Sequence, residues 1–424
     1  MKKLVINGGR PLKGDIMISG SKNAAVGILP AILLAGGPCT IENVPEVSDI
    51  KILLEVLELL GAKCEQNEDV VTVDPTGVSS SVALYDKIRK LRGSSYLIGA
   101  LLGRFGRAEV ALPGGCNFGH RPIDQHLKGF KALGAEITDD YGKVVAYAPD
   151  GLHGANIYMD VVSVGATINL MLAACKAEGL TVLENCAMEP HVVDVANFLN
   201  TIGANIKGAG TNVIKIKGVP TLGNAKIYSV IPDQIEAGTF MIAAAATKGD
   251  VTVRNIIPKH QEALTAKLEE MNVGITEGPD WIRVYHKGDL LPANVKTLPY
   301  PGFPTDLQPQ IVTLLCLAEG DSIVTEAVWS SRFQYISELC RMGADIRVAD
   351  KSAMISGGRP FKGASVRCPD LRAGAAYVIA ALAAEGQSNL YEIKYIDRGY
   401  HLIEEKLRAV GADISREDAP EENL

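Results

Sequence analysis

No Cys-x-x-Cys or His-x-x-x-His pair occurs in this sequence; the seven histidines are dispersed, and the eight cysteines are scattered at positions 39, 64, 116, 175, 186, 316, 340 and 368. A metal site built by the protein therefore has little support, and no metal or cofactor is expected. Scattered cysteines in a long chain without a secretory signal read as free thiols in a reducing compartment. An excess of positive charge is also missing. A net charge of −7 argues against a general nucleic-acid or membrane-surface binder, so any anion site must be a local cluster of cations. No apolar run reaches the length of a membrane span; the longest, Ala373 to Ala384, is interrupted and reads as a buried helix. The opening Met1-Lys2-Lys3-Leu4-Val5-Ile6-Asn7-Gly8 leaves no room for the apolar core of a signal peptide, and a cytoplasmic location is expected.

What is present is a hydrophobic share of 47% with 21% charged residues in 424 residues, the composition of a globular protein long enough for two cores. The chain is also repetitive. At a pitch of about 70 residues, a helix-like stretch ends in Gly-Ala or a variant and runs into a strand-like segment. The marks are Leu60-Gly61-Ala62, Leu133-Gly134-Ala135, Ile202-Gly203-Ala204, Met271-Asn272-Val273, Met342-Gly343-Ala344 and Val410-Gly411-Ala412. Only the fourth departs from Gly-Ala. A typical copy runs from a small-residue helix (Gly165 to Cys175) through a strand (Leu180 to Leu183) to an amphipathic helix (Val192 to Ile202) that stops at Gly203, a residue suited to a left-handed helix exit. In the last copy the strand is Asn389 to Ile393 and the second helix runs from Gly399 to Val410. The expected architecture is α/β: six βαβ-type units in two groups of three.

A short polar segment precedes each Ala-rich helix: Ser21-Lys22-Asn23, Arg92-Gly93-Ser94-Ser95, Ser163-Val164-Gly165, Asp233-Gln234-Ile235-Glu236, Pro304-Thr305-Asp306 and Asp370-Leu371-Arg372. Carboxylates at a helix start complement its dipole; cations oppose it. Lys22, Arg92 and Arg372 therefore suggest a bound anion, the alternative being a solvated charge or an Arg paired with a neighbouring Asp. One copy alone inserts Pro113-Gly114-Gly115-Cys116-Asn117-Phe118-Gly119-His120-Arg121-Pro122. Three glycines and two prolines describe a loop that presents a thiol beside an Arg and a His. With an ordinary pKa near 8.5 the thiol of Cys116 is an acid at neutral pH, and a nearby cation would make it a nucleophile; both roles stay open. A Cys-His hydrolase with His120 as base is the generic alternative, but four residues within one flexible loop do not fix the geometry. By contrast Cys175, Cys186 and Cys316 fall in apolar segments and read as small hydrophobes.

Five segments in register, Ser21-Lys22-Asn23-Ala24-Ala25, the 113–122 loop, Phe303-Pro304-Thr305-Asp306, Asp370-Leu371-Arg372-Ala373-Gly374 and Asp397-Arg398-Gly399-Tyr400, resemble the UDP-N-acetylglucosamine 1-carboxyvinyltransferases, enolpyruvyl transferases that open bacterial peptidoglycan synthesis. Only the tail from Glu417 to Leu424 falls outside the resemblance. It implies a two-domain inside-out α/β barrel, with residues 1–20 plus 230–424 in one domain and 21–229 in the other. Each domain would have threefold pseudosymmetry, with helices directed at a shared cleft and the first strand joining the carboxyl-terminal half. The implied substrates are phosphoenolpyruvate and the 3-hydroxyl of UDP-N-acetylglucosamine, which form a tetrahedral ketal that loses phosphate; no nucleic acid, membrane or cofactor takes part.

By the same resemblance, Asp306 is the base for the hydroxyl and Cys116 the proton donor, also open to covalent attachment and to the epoxide antibiotic fosfomycin. Lys22, Arg121 and Arg398 match phosphate contacts, with Lys22 and Arg398 in the catalytic set. Arg332 and Arg372, with Asn23 nearby, match the carboxylate side of phosphoenolpyruvate. For the nucleotide sugar the matching positions are Arg92, Arg121, Pro122, Ile123, Asp124, Gln125, Ser163, Val164, Gly165, Asp306 and Val328. Asp233 and Glu236 are read as structural. Ser21, Gly93 and Val161 depart from the usual pattern, and Val161 puts one nucleotide contact in doubt. Trp329-Ser330-Ser331 resembles a second-type paralogue. The rivals are the sister transferase acting on shikimate 3-phosphate, disfavoured by the Cys-bearing loop and by Lys22-Asn23 where it has Lys-Ser, and a non-catalytic ligand-binding paralogue.

Overall fold

The computed structural model describes residues 2–91, 93–112, 123–140 and 142–419. The chain forms two compact units: one is the continuous segment Gly20–Ile231, the other combines Met1–Ser19 with Pro232–Leu424. Among the described residues six four-stranded sheets carry the repeat, three in each unit.

Every sheet has one plan. In the third sheet of the continuous unit, the short edge strand Asn156–Tyr158 pairs in parallel with Leu180–Glu184, and the hairpin of Asn205–Lys207 and Val213–Lys217 completes it antiparallel. The connection between the parallel strands is the Ala-rich helix Val164–Ala174, buried from Ala166 to Ala174. Such an element has apolar or small residues all round because sheets and neighbouring helices cover every face. The equivalent helices Gln234–Ala246 and Leu371–Ala383 are buried almost throughout, which accounts for the apolar run at Ala373.

One sheet of the continuous unit and two of the other are completed by a strand distant in sequence. Tyr228–Ser229, at the end of the continuous unit, lies parallel to Cys39–Glu42 near its start. In the other unit Lys13–Met17 lies parallel to Asp250–Arg254, while Lys2–Asn7 is inserted between Gln387–Tyr391 and Asp413–Asp418, antiparallel to both.

The six marks are the exits of the amphipathic helices. Gly61, Gly134, Gly203, Gly343 and Gly411 have φ between 96° and 106°, and Asn272 has φ 65°. Asn tolerates the left-handed region better than other non-glycine residues, so the one departure from Gly keeps the same turn. After each, an N–H reaches back five residues to close the exit: Ala62 to Leu57, Ala135 to Phe130, Ala204 to Leu199, Val273 to Leu268, Ala344 to Leu339 and Ala412 to Leu407. The last copy differs from expectation beyond its strand. Asp397 and Arg398 lie in a 3-10 segment, Ile393–Arg398, and the second helix begins only at Ile403 because Leu402 sits at φ 46°, outside the helical region.

Candidate active site

Four of the six polar segments cap their helices with a side chain. Ser21 accepts from Ala24 N–H, Ser163 from Ala166 N–H, Asp233 from Ile235 and Glu236 N–H, and Asp370 from Arg372 and Ala373 N–H. These bonds satisfy donors that a helix start leaves open and lock the backbone from which Lys22 and Arg372 extend. Arg92, Cys116, Arg121 and Pro122, with the rest of the 113–122 loop, lie outside the described residues.

In the discontinuous unit three sequence-predicted residues converge. Asp306, in the 3-10 turn Thr305–Leu307 ahead of the helix Gln308–Leu315, accepts from Arg332 Nη2 at 2.8 Å on one carboxylate oxygen and from Arg372 Nη2 at 3.0 Å on the other. Each arginine side chain is 7% exposed and that of Asp306 31%. Burial pushes this carboxyl up, but the charges of Arg372 and Arg332 outweigh it and hold the group far below the usual carboxylate range. Arg372 also lies over the Tyr400 ring at 5.8 Å and donates to its hydroxyl at 3.4 Å. That hydroxyl is 2.9 Å from Thr239 Oγ1. Arg398 is half-buried; next to it, Asp397 accepts two bonds from Arg416, at 3.0 and 2.8 Å, and Arg416 also grips Glu404 at 2.6 Å. Val328 is exposed. Glu236 is buried against Lys406 at 2.7 Å and accepts from Ser19 N–H.

In the continuous unit Lys22 is buried and its Nζ lies 2.8 Å from Asp49, at the start of the helix Ser48–Leu59. Asn23 follows it, half-buried. Both described helix-start cations, Lys22 and Arg372, thus meet a carboxylate in this structure. Ile123 and Asp124 begin the helix Asp124–Ala132, and the Gln125 amide bonds internally, to Asp124 at 2.7 Å and to Asp160 at 3.1 Å. Val164 and Gly165 open the next helix after the Ser163 cap.

The sequence did not single out Asp49, Glu326 or His126. His126 is buried and its Nδ1 lies 2.9 Å from the Asn169 side-chain NH2, which also donates to Ser95 O at 2.7 Å. An acceptor at Nδ1 puts the ring proton on Nε2, the atom that a Cβ on Gly165 would approach to 3.0 Å. Burial lowers the pKa of His126 to about 4, so the ring is neutral at physiological pH. The only advance signal for such residues is a lone charge or imidazole in an apolar helix pattern.

Among the described residues no cluster of His, Cys, Asp or Glu has the geometry to hold a metal ion, and no helix is long and apolar enough to cross a membrane. Cys39, Cys175, Cys186, Cys316 and Cys368 are buried free thiols, and burial pushes Cys175 and Cys186 up to about 12.

The family model described as EPSP synthase (3-phosphoshikimate 1-carboxyvinyltransferase) matches residues 6–407. UDP-N-acetylglucosamine 1-carboxyvinyltransferase 3 of Caldanaerobacter subterraneus is 56% identical over 416 residues, covering 98% of this chain and 99% of the relative. UDP-N-acetylglucosamine 1-carboxyvinyltransferase 2 of Bacillus subtilis is 50% identical, covering 100% and 99%. Among solved structures, the enolpyruvyl transferase NikO of Streptomyces tendae superposes with a TM-score of 0.90 at 28% identity, covering 99% of each chain. EPSP synthase of Acinetobacter baumannii shares the fold, with a TM-score of 0.77 at 20% identity over 99% of this chain and 100% of that one.

Proposed function

Because the chain belongs to the UDP-N-acetylglucosamine 1-carboxyvinyltransferase branch of the enolpyruvyl transferases, we propose that it transfers the enolpyruvyl group of phosphoenolpyruvate to the 3-hydroxyl of UDP-N-acetylglucosamine. Phosphate is released, and the reaction is the first committed step of cytoplasmic peptidoglycan synthesis. The observation that carries the chemistry is the carboxylate of Asp306 suspended between Arg332 and Arg372. Two buried guanidiniums aimed at one carboxylate form a site for carboxylate recognition.

In this state Asp306 is a poor base, because both arginines favour its anion. The carboxylate of phosphoenolpyruvate takes Arg332 and Arg372 and releases Asp306 from its two partners; Asn23 is assigned to the same substrate. Its proton affinity then rises and it accepts the proton of the sugar hydroxyl. The hydroxyl oxygen bonds to C2 of phosphoenolpyruvate while C3 gains a proton from Cys116, giving the tetrahedral ketal. Loss of a C3 proton and cleavage of the C2–O bond to phosphorus-bearing oxygen then yield the enol ether and inorganic phosphate. Lys22, Arg121 and Arg398 hold the phosphate. Arg92, Arg121, Pro122, Ile123, Asp124, Gln125, Ser163, Val164, Gly165 and Val328 are assigned to the nucleotide sugar, with Gln125 acting through the segment at Asp160. Asp49, 2.8 Å from the Lys22 ammonium, is the partner that the phosphate would replace.

Phosphate release is the test. It is expected only with both substrates present, and to persist with a chelator. No release at saturating substrate would refute the reading, and release with shikimate 3-phosphate in place of the nucleotide sugar would transfer the chain to the sister activity.

A further inference from the structure

Glu326 stands at a position where three of the six copies place a clamping asparagine; the second copy has Ala111 there and the last Glu392, at φ 60°. One residue beyond the parallel pairing of the edge strand, Asn43, Asn185 and Asn255 each sit at positive φ, between 56° and 60°. Each donates its side-chain amide to the facing edge-strand carbonyl, of Val230, Met159 and Ile18 respectively, at 2.8 Å. By the register of Val295 with Val324 and Lys296 with Thr325, the facing pair in this copy is Thr297 and Glu326. Glu326 does not have positive φ, and it accepts where the asparagines donate.

The carboxylate is 1% exposed, and among the described residues no salt bridge reaches it. Its oxygens are met by four donors. Thr297 Oγ1 at 2.8 Å, Val328 N–H at 2.9 Å and Trp329 N–H at 3.0 Å reach Oε1; Thr305 Oγ1 reaches Oε2 at 2.8 Å. The hydroxyl of Thr305 is directional: it accepts from Arg332 Nη1 at 2.8 Å, which aims its own proton at Glu326. A buried carboxylate without an ion pair is costly unless fully hydrogen-bonded, so a scaffold clamp alone would be served by the amide that three of the other five copies use. What the carboxylate adds is a relay, Glu326 to Thr305 to Arg332, together with a grip on the loop that carries Val328.

We propose that Glu326 is a positioning residue that sets the Arg332 guanidinium for the substrate carboxylate through Thr305 and, separately, holds the Val328 loop for the nucleotide sugar. The proposal rests on the substrate reading above. Steady-state kinetics of Glu326→Gln, Thr305→Val, Thr305→Ser and the Glu326→Gln/Thr305→Val double variant test it. The KM for phosphoenolpyruvate should rise about tenfold or more in Thr305→Val and Glu326→Gln. The double variant should be no worse than the worse single one, because both interrupt one chain of bonds, and Thr305→Ser should restore the wild-type value. The KM for the nucleotide sugar should rise only where Glu326 is changed. Singles whose effects multiply in the double variant, or a Glu326→Gln enzyme that loses thermal stability while both KM values stay within twofold, would overturn the proposal. If Glu326→Gln does not fold, an unchanged KM for phosphoenolpyruvate in Thr305→Val is sufficient to reject it. The Nε–Hε resonance of Arg332 reads the relay without substrate: it should shift in Thr305→Val and not in Thr305→Ser. A wild-type enzyme inactive on these substrates would thus sink the substrate reading while leaving the relay open to refutation.

Discussion

Replacing Asp306 by Asn keeps the size of the side chain and removes one charge from between two. The carboxylate oxygens lie 2.8 and 3.0 Å from Arg332 and Arg372; at about 4 Å between charge centres and an effective dielectric of about 20, each attraction is about 4 kcal/mol before desolvation. Most of that is offset by burial of the ions, but the offset does not disappear with the anion. Removing one member of a buried ion cluster costs about 3–5 kcal/mol because the remaining charge is left uncompensated. With 31% of the Asp306 side chain exposed, water screens part of this, and a loss of about 2–3 kcal/mol is expected. Ligand binding should move the other way. The amide no longer competes for the guanidiniums, so phosphoenolpyruvate should bind about tenfold tighter, a gain of about 1.4 kcal/mol, while turnover falls about 10²–10⁴-fold with the base gone. Calorimetric titration with phosphoenolpyruvate, with the 3-deoxy analogue of the nucleotide sugar saturating so that no reaction occurs, measures the first; phosphate release measures the second. Weaker binding of phosphoenolpyruvate in Asp306→Asn would refute the competition between the internal and the incoming carboxylate. Retained turnover would remove Asp306 from the chemistry.

Fosfomycin should label Cys116 alone among the eight cysteines, faster with the nucleotide sugar bound; peptide mapping of the adduct to another cysteine would end that assignment. The buried thiols, pushed up to about 12 at Cys175 and Cys186, lack the thiolate needed to open an epoxide. His126 should give the folded state an acid limit. The unfolded chain protonates this ring near 6.5 and the folded chain only near 4, so its contribution is complete above about pH 6.5 and shrinks as the pH falls toward 4. At pH 4.5 the loss is about 2–3 kcal/mol. Burial raises Asp194 to about 6 and gives the opposite slope over part of the same range, so the readout is the difference in urea midpoint between wild type and His126→Gln at pH 7 and pH 4.5. An identical pH dependence of the two proteins would show that His126 is not the group responsible.

Local chemistry was legible along the chain, and partners across it were not. A helix exit needs a left-handed residue within one turn, so Gly61 and its four glycine counterparts marked the repeat, and Asn272 fitted once its backbone was seen. Helix starts were equally local, and the caps at Ser21, Ser163, Asp233 and Asp370 stand where the polar segments put them. Cations at those starts pointed to an anion; the structure supplies internal ones, Asp49 for Lys22 and Asp306 for Arg372. Asp49 is 27 residues from Lys22 and Asp306 is 66 from Arg372, separations at which residue spacing carries no signal. Glu326 and His126 were hidden for the same reason: each serves side chains contributed by other elements. The late start of the helix Ile403–Ala409 was missed because a left-handed Leu402 has no sequence signature.

The threading of the two units gives them different histories on the ribosome. Everything the continuous unit needs, including the Tyr228–Ser229 strand that completes its first sheet, has been made once Ile231 has emerged. The strands of the other unit that precede the continuous one face the longest delay. Lys13–Met17 has no partner until Asp250–Arg254 appears, and Lys2–Asn7, which pairs on both sides, must wait for Gln387–Tyr391 and Asp413–Asp418. Until those partners emerge, an apolar strand with both edges open precedes a unit able to fold, which makes Lys2–Asn7 a segment in need of a holding chaperone.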